Sequence, residues 1–151
     1  MEGTRAVTSP SAIAATSDLE DLTVGASYKF SVVELSGGYN SLKWKPVGGA
    51  TSGKVDGFYL GATIPVGQGS FRLKYARAEF SGNATALTRS GGKADKYSVG
   101  YVYNLSKRTS LYGGGAHVSN KNGASVGLIG GPAGVANASS TGVDLGISHS
   151  F

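Results

Sequence analysis

The sequence predicts an all-β fold: a transmembrane antiparallel β-barrel meander of about seven strands. Three observations predict it. Apolar residues alternate with small or polar ones at period two through most of the chain. The connections between alternating stretches are by turns short and long, the wiring of barrels with clipped turns at one end and extended loops at the other. Aromatics on the apolar sides gather at two heights, as rings do where water meets hydrocarbon. Alternation alone also suits the shell of a soluble sandwich, but a sandwich gives no reason for connections to alternate in length.

Composition narrows the field. Charged residues are 15% of the 151, against the usual quarter or so, so little charge is available to cover a water-facing surface. No run of about 18 apolar residues exists to make a spanning helix, which leaves a spanning barrel open. There is no cysteine, which fits an exported protein without disulfides. The net charge of +5 invites a nucleic-acid partner, but the basic residues are scattered singly apart from Lys107-Arg108 and Lys43/Lys45. No basic patch results, and no nucleic-acid partner is expected. The opening MEGTRAVTSPSAIAAT has an acid at position 2 and only Ala12–Ala15 as a continuous apolar stretch, short of a secretion h-region. Met1 is therefore not expected to begin an exported precursor.

The chain falls into a polar segment, 1–21, and a strand meander, 22–151. The first strand, near 22–31, sets Leu22, Val24, Ala26, Tyr28 and Phe30 against Thr23, Gly25, Ser27 and Lys29. A reversal near Val32 leads to the second, near 33–44, where Val33, Leu35 and Tyr39 oppose Glu34, Ser36, Gly38 and Asn40. After a Pro/Gly loop comes the third, near 55–66, with Pro65 marking its end because proline cannot donate to a ladder. Gly67-Gln68-Gly69 turns into the fourth, near 70–80, with Phe71, Leu73 and Tyr75 against Arg72, Lys74 and Ala76. Its stretch Arg77–Glu79 breaks the apolar side, so it should lie above the lipid or hold a bulge.

The fifth strand, near 95–105, alternates most strictly, with Tyr97, Val99, Tyr101, Tyr103 and Leu105 on one side. A short polar turn, Ser106–Thr109, leads to the sixth, near 109–119. Its facing stays open: Leu111 and His117 share one side, Tyr112, Ala116 and Val118 the other. The seventh, near 141–151, sets Val143, Leu145, Ile147, His149 and Phe151 against Asp144, Gly146, Ser148 and Ser150.

With the short turns at one end, Phe30, Phe71, Tyr103 and Phe151 fall at that end, and Trp44, Phe58, Phe80 and Tyr97 near the long loops. These are the expected aromatic girdles, and outer-membrane lipid is the expected surrounding. The opposite face would line a wet lumen. Its charged members are Lys29, Glu34, Arg72, Lys74, Lys96 and Asp144, four basic and two acidic, which favours anions modestly. Arg72 and Lys74 stand two residues apart on one strand; Lys96 is as readily a solvated rim residue.

Reaction chemistry finds no foothold, so no enzyme activity, cofactor or metal is expected. His117 and His149 lack a second ligand at metal spacing. Ser119 near His117 makes no nucleophile–base pair by itself. Asn83-Ala-Thr85 and Asn137-Ala-Ser139 match a glycosylation triplet that chance produces often. The Gly-rich stretches lack the strand-to-helix setting of a phosphate loop.

The run VGYVYNLSKRTSLYGGGAHVSN (Val99–Asn120) resembles the next-to-last hairpin of trimeric general-diffusion porins of the Gram-negative outer membrane, particularly those of beta-proteobacteria. GVDLGISHSF (Gly142–Phe151) resembles their closing strand with its terminal aromatic. The resemblance implies about seven strands of a barrel of about sixteen, with 1–21 the remnant of an extracellular loop and this chain the C-terminal part of the pore. It implies passive diffusion of small hydrophilic solutes and ions across the cell outer membrane, with weak anion preference. It further implies a homotrimer in the full-length porin, and an assembly signal at Leu145, Ile147 and Phe151 read by the barrel-assembly machinery. Two other readings stand beside it: a small outer-membrane barrel with a structural or adhesin role, and a soluble carbohydrate-binding β-sandwich.

Overall fold

The computed structural model describes residues 16–46, 53–82, 90–131 and 133–151. The Asn83–Thr85 triplet and residues 1–15 of the polar segment lie outside them. Seven strands form one antiparallel sheet in chain order: β1 (Thr16–Phe30), β2 (Val33–Pro46), β3 (Gly53–Val66), β4 (Gly69–Gly82), β5 (Lys93–Asn104), β6 (Thr109–Lys121) and β7 (Ser139–His149). The sheet does not close on itself: β1 and β7 are its two edges.

Short connections (31–32, 67–68, 105–108) alternate with long ones (47–52, 83–92, 122–138). The tight turns demand left-handed backbone, supplied by Ser31 at φ 48° and Gly67 at φ 60°. At the third, the Ser106 hydroxyl accepts from the backbone of Arg108 and Thr109, each at 3.1 Å.

The strands run further toward the long loops than the sequence pattern indicated. β1 begins at Thr16, so 16–21 is strand rather than polar arm. Glu20 stands opposite Lys43 in the ladder and forms an ion pair with it at 3.5 Å. Complementary charge lets the pairing continue where hydrophobicity has stopped. At the other end β7 finishes at His149; Phe151 lies beyond it, although the Ser150 N–H still donates to Arg108 O at 2.9 Å.

Arg77–Glu79 holds no bulge, because register is continuous across β3–β4 and β4–β5. Register also settles β6. Leu111, Gly113, Gly115 and His117 oppose Tyr103, Tyr101, Val99 and Tyr97, so they share the apolar face. Tyr112, Ala116 and Val118 belong to the polar one.

No second layer of described residues packs on the apolar face of this sheet. Leu60 is 59%, Val143 84% and Leu145 87% exposed, while among the described residues the buried apolar ones are only Ala94, Val118 and Ala124. A sandwich would seal one face; here the apolar face is bare, the condition that lipid resolves.

Candidate pore wall

The apolar face is banded. Phe71 meets Tyr101 at a tilt (centroids 4.6 Å apart), Tyr101 stacks on Tyr103 (6.5 Å), and Tyr28 meets Phe30 edge to face (4.5 Å), all toward the short turns. Toward the long loops Phe58, Tyr75 and Tyr97 form a second cluster, at 5.8 and 4.9 Å. Between them runs the aliphatic row Leu35–Ala62–Leu73–Val99.

Past the second cluster the face turns ionic. Arg77 meets Asp95 at 2.6 Å, Lys54 meets Asp56 at 2.7 Å and Lys93 meets Glu79 at 3.0 Å. The Tyr39 and Tyr75 hydroxyls donate to Asp56 and Asp95. Eight residues separate Tyr103 from Asp95 along β5, about 27 Å of strand or about 20 Å of height at a tilt near 40°. That is a little under the apolar band of about 25 Å that an outer-membrane barrel presents.

Two aromatics leave the face the sequence pattern assigned. Trp44 opposes Leu19 and Gly53, and two-residue steps place it with Glu34, Ser36, Gly38 and Asn40 on the polar face. Phe80 opposes Val55, on the side of Arg72 and Lys74. Strict alternation forces both. The cluster instead uses Tyr75, and Tyr101 joins the lower one; parity alone points to them.

On the polar face, cross-strand pairing lines up one row: Lys29, Glu34, Thr63, Arg72, Gly100, Gly114 and Asp144. Four of the six charged candidates therefore stand in a single row that the sequence does not reveal. With strands about 4.8 Å apart, Arg72 stands roughly 10 Å along the wall from Glu34 and roughly 14 Å from Asp144. Lys74 belongs to the next row toward the long loops, opposite Gly61 and Ser98, and Lys96 to the one after, opposite Ala76 and Val118.

Arg72, Lys74 and Lys96 border one open concavity of about 1120 Å³, with Tyr112, Asp144 and residues 128–131 around it. The 122–138 connection reaches this face because a buried side chain folds it back. Asn120, 4% exposed, donates from Nδ2 to Val126 O and Ala138 O and accepts from Val126 N–H, each at 2.9 Å. Asn137 adds an acceptor for Gly123 N–H at 2.7 Å. Leu128 then lies against the Cβ-less surface of Gly142, its Cδ1 3.0 Å from where a Cβ would stand.

Aromatic rings on the wall lie down rather than stand up. The Tyr112 ring covers its cross-strand partner Gly146, and the Tyr59 ring covers Gly38. A side chain on either glycine would occupy the ring's place, so the pairing keeps large residues out of the open space. Among the described residues no group of acids and histidines has the makings of a metal site. The two histidines are spent between strands: His117 Nδ1 and Thr141 Oγ1 hydrogen-bond at 2.8 Å, as do His149 Nδ1 and Thr109 Oγ1.

Comparison with known proteins agrees with this geometry. Residues 4–123 match the family described as Gram-negative porin. The chain is 40% identical over 142 residues to outer membrane porin protein 32 of Delftia acidovorans, covering 89% of this chain and 37% of that protein. In structure it matches the anion-selective porin from Comamonas acidovorans with a TM-score of 0.77 at 40% identity, covering 88% of this chain and 39% of that one. The chain thus spans well under half the length of these relatives.

Proposed function

Since the chain belongs to the Gram-negative porin family, we propose that its seven strands form one arc of a larger barrel through which small hydrophilic solutes and ions diffuse passively, anions somewhat faster than cations. It is an outer-membrane protein, as the named relatives are.

The observation that carries the proposal is the division of one sheet into two solvents' faces: a bare apolar band bounded by ion pairs, and a reverse side bearing Arg72 and Lys74 beside an open concavity. A pore needs no reaction chemistry. Hydrocarbon excludes a charge by many kcal/mol, and a wet lumen removes that barrier by leaving the solute hydrated. Fixed cations on the wall then raise the local anion concentration and lower that of cations.

The remaining roles follow from the same reading. Outer-membrane lipid covers the apolar face, with Phe30, Phe71, Tyr103, Phe58 and Tyr97 as girdle rings. The unpaired edges of β1 and β7 join strands from elsewhere in the barrel, since an open edge is untenable in lipid. Leu145, Ile147 and Phe151 present the closing edge to the barrel-assembly machinery, and the completed porin is a homotrimer without catalytic activity.

The test is electrical. The complete porin bearing these strands, reconstituted in a planar bilayer across a potassium chloride gradient, should give stepwise conductance and a reversal potential of the anion-permeable sign. Absence of steps from correctly folded protein would favour the structural or adhesin role instead.

A further inference from the structure

Tyr59 and Lys74 form an arrangement that neither residue type nor spacing announces. Gly25, Gly38 and Tyr59 are successive partners in one cross-strand row. The Tyr59 ring extends along that row over both glycines. Its Cε1 is 2.5 Å from where a Gly38 Cβ would stand, and its hydroxyl 3.4 Å from a Cβ on Gly25. Two consecutive positions without a side chain make a floor on which the ring lies flat. The Lys74 Nζ sits over the ring, 4.4 Å from the centroid. Lys74 is one strand over and one row down, opposite Gly61, so the contact is diagonal.

We propose that Tyr59, bedded on Gly25 and Gly38, is a selectivity-positioning residue that holds the Lys74 ammonium against the wall. The ring's negative quadrupole attracts the cation without neutralising it. A lysine left free on its four-carbon stem would sweep the passage and bind passing anions by direct hydrogen bonds. Stacked on the ring, the charge stays on the wall, biasing ions by its field while the cross-section remains clear. The permeant class this suits is small inorganic and carboxylate anions that pass without lodging. The proposal rests on the reading of this face as the pore wall.

The test uses the complete porin with Tyr59→Leu, Tyr59→Phe, Gly38→Ala and Lys74→Gln, each confirmed as folded by heat-modifiable gel migration. Two readings are taken: single-channel conductance with reversal potential, and the acylation rate of each lysine by a water-soluble ester, mapped by peptide mass spectrometry. Tyr59→Leu should raise the Lys74 acylation rate about two- to fivefold, the size of an exposed cation–π contact, with Lys96 unchanged. It should also lower the conductance as the freed ammonium enters the passage. Tyr59→Phe, which keeps the ring, should match the wild type. Gly38→Ala, which removes the floor, should behave as Tyr59→Leu does, and it decides the matter if Tyr59→Leu does not assemble. A Lys74 rate and conductance unaltered by loss of the ring, while Lys74→Gln shifts the reversal potential, would overturn the positioning role alone. A silent Lys74→Gln would remove the pore-wall reading and this proposal together.

Discussion

Arg77 and Asp95 face each other across the β4–β5 pair, Nε to Oδ1 at 2.6 Å, at the height where the apolar band of the sheet ends. Asp95 is 5% exposed and also accepts the Tyr75 hydroxyl at 2.6 Å. A cation and an anion beside hydrocarbon are tolerable as a pair and costly singly, because the survivor of a truncation keeps its desolvation without its partner. Asp95→Ala should therefore lower the temperature at which the folded barrel loses its compact gel migration by several degrees. Asp95→Asn combined with Arg77→Gln should recover part of that loss, since no lone charge remains.

The wall charges make a graded prediction. Arg72 and Lys74 occupy adjacent rows of the same strand, and a unit charge about 8 Å from a permeant ion across water biases its local concentration about twofold. Arg72→Gln and Lys74→Gln should each reduce the anion-to-cation permeability ratio by about that factor at roughly 0.1 M salt, where the Debye length is about 10 Å. At about 1 M, where it is about 3 Å, the effect should nearly vanish. Asp144→Asn, in the row of Arg72, should move the ratio the other way.

Much of this was legible in the sequence because a strand's two sides differ by one residue of parity, and parity needs no knowledge of neighbours. Trp44 obeys the same rule against its apolar character: two-residue steps from Glu34 through Asn40 lead to it, on the polar face. In β6 the pattern is erased by Gly113, Gly114 and Gly115, which show no preference for either solvent, and only the pairing with β5 restores it. The row from Lys29 to Asp144 and the bedding of Tyr59 on Gly38 depend on register between strands. Register is set by turn length and bulges, which alternation does not record. The fold-back of 122–138 hangs on the burial of one polar side chain, Asn120, in a stretch without periodicity.

The facing of β6 can be checked directly. The chain has no cysteine, so single introduced thiols label without background. Ala116→Cys, on the face of Tyr112 and Val118, should react quickly with a membrane-impermeant charged thiol reagent. His117→Cys, one residue on and paired with Tyr97 and Thr141, should be protected in the bilayer. Charged adducts at residue 116 should also reduce conductance, and reagents of opposite sign should shift the reversal potential in opposite directions.

Asn120 offers the last test, because its three side-chain hydrogen bonds to Val126 and Ala138 hold the 122–138 connection over the polar face. Asn120→Ala takes that partner from the part-buried N–H and carbonyl of Val126, while the Ala138 carbonyl keeps the Asn120 backbone N–H at 3.2 Å, and the cost is about 1–3 kcal/mol of local stability for each group left unsatisfied. Most of the strand pairing does not depend on it, so the barrel should still assemble while the connection opens. Leu128, now resting on Gly142, would then leave the wall. The expected record is a larger maximum conductance with added rapid flicker, and faster proteolysis within 122–138. A conductance identical to the wild type, together with demonstrated cleavage in that segment, would mean that Leu128 does not narrow the passage.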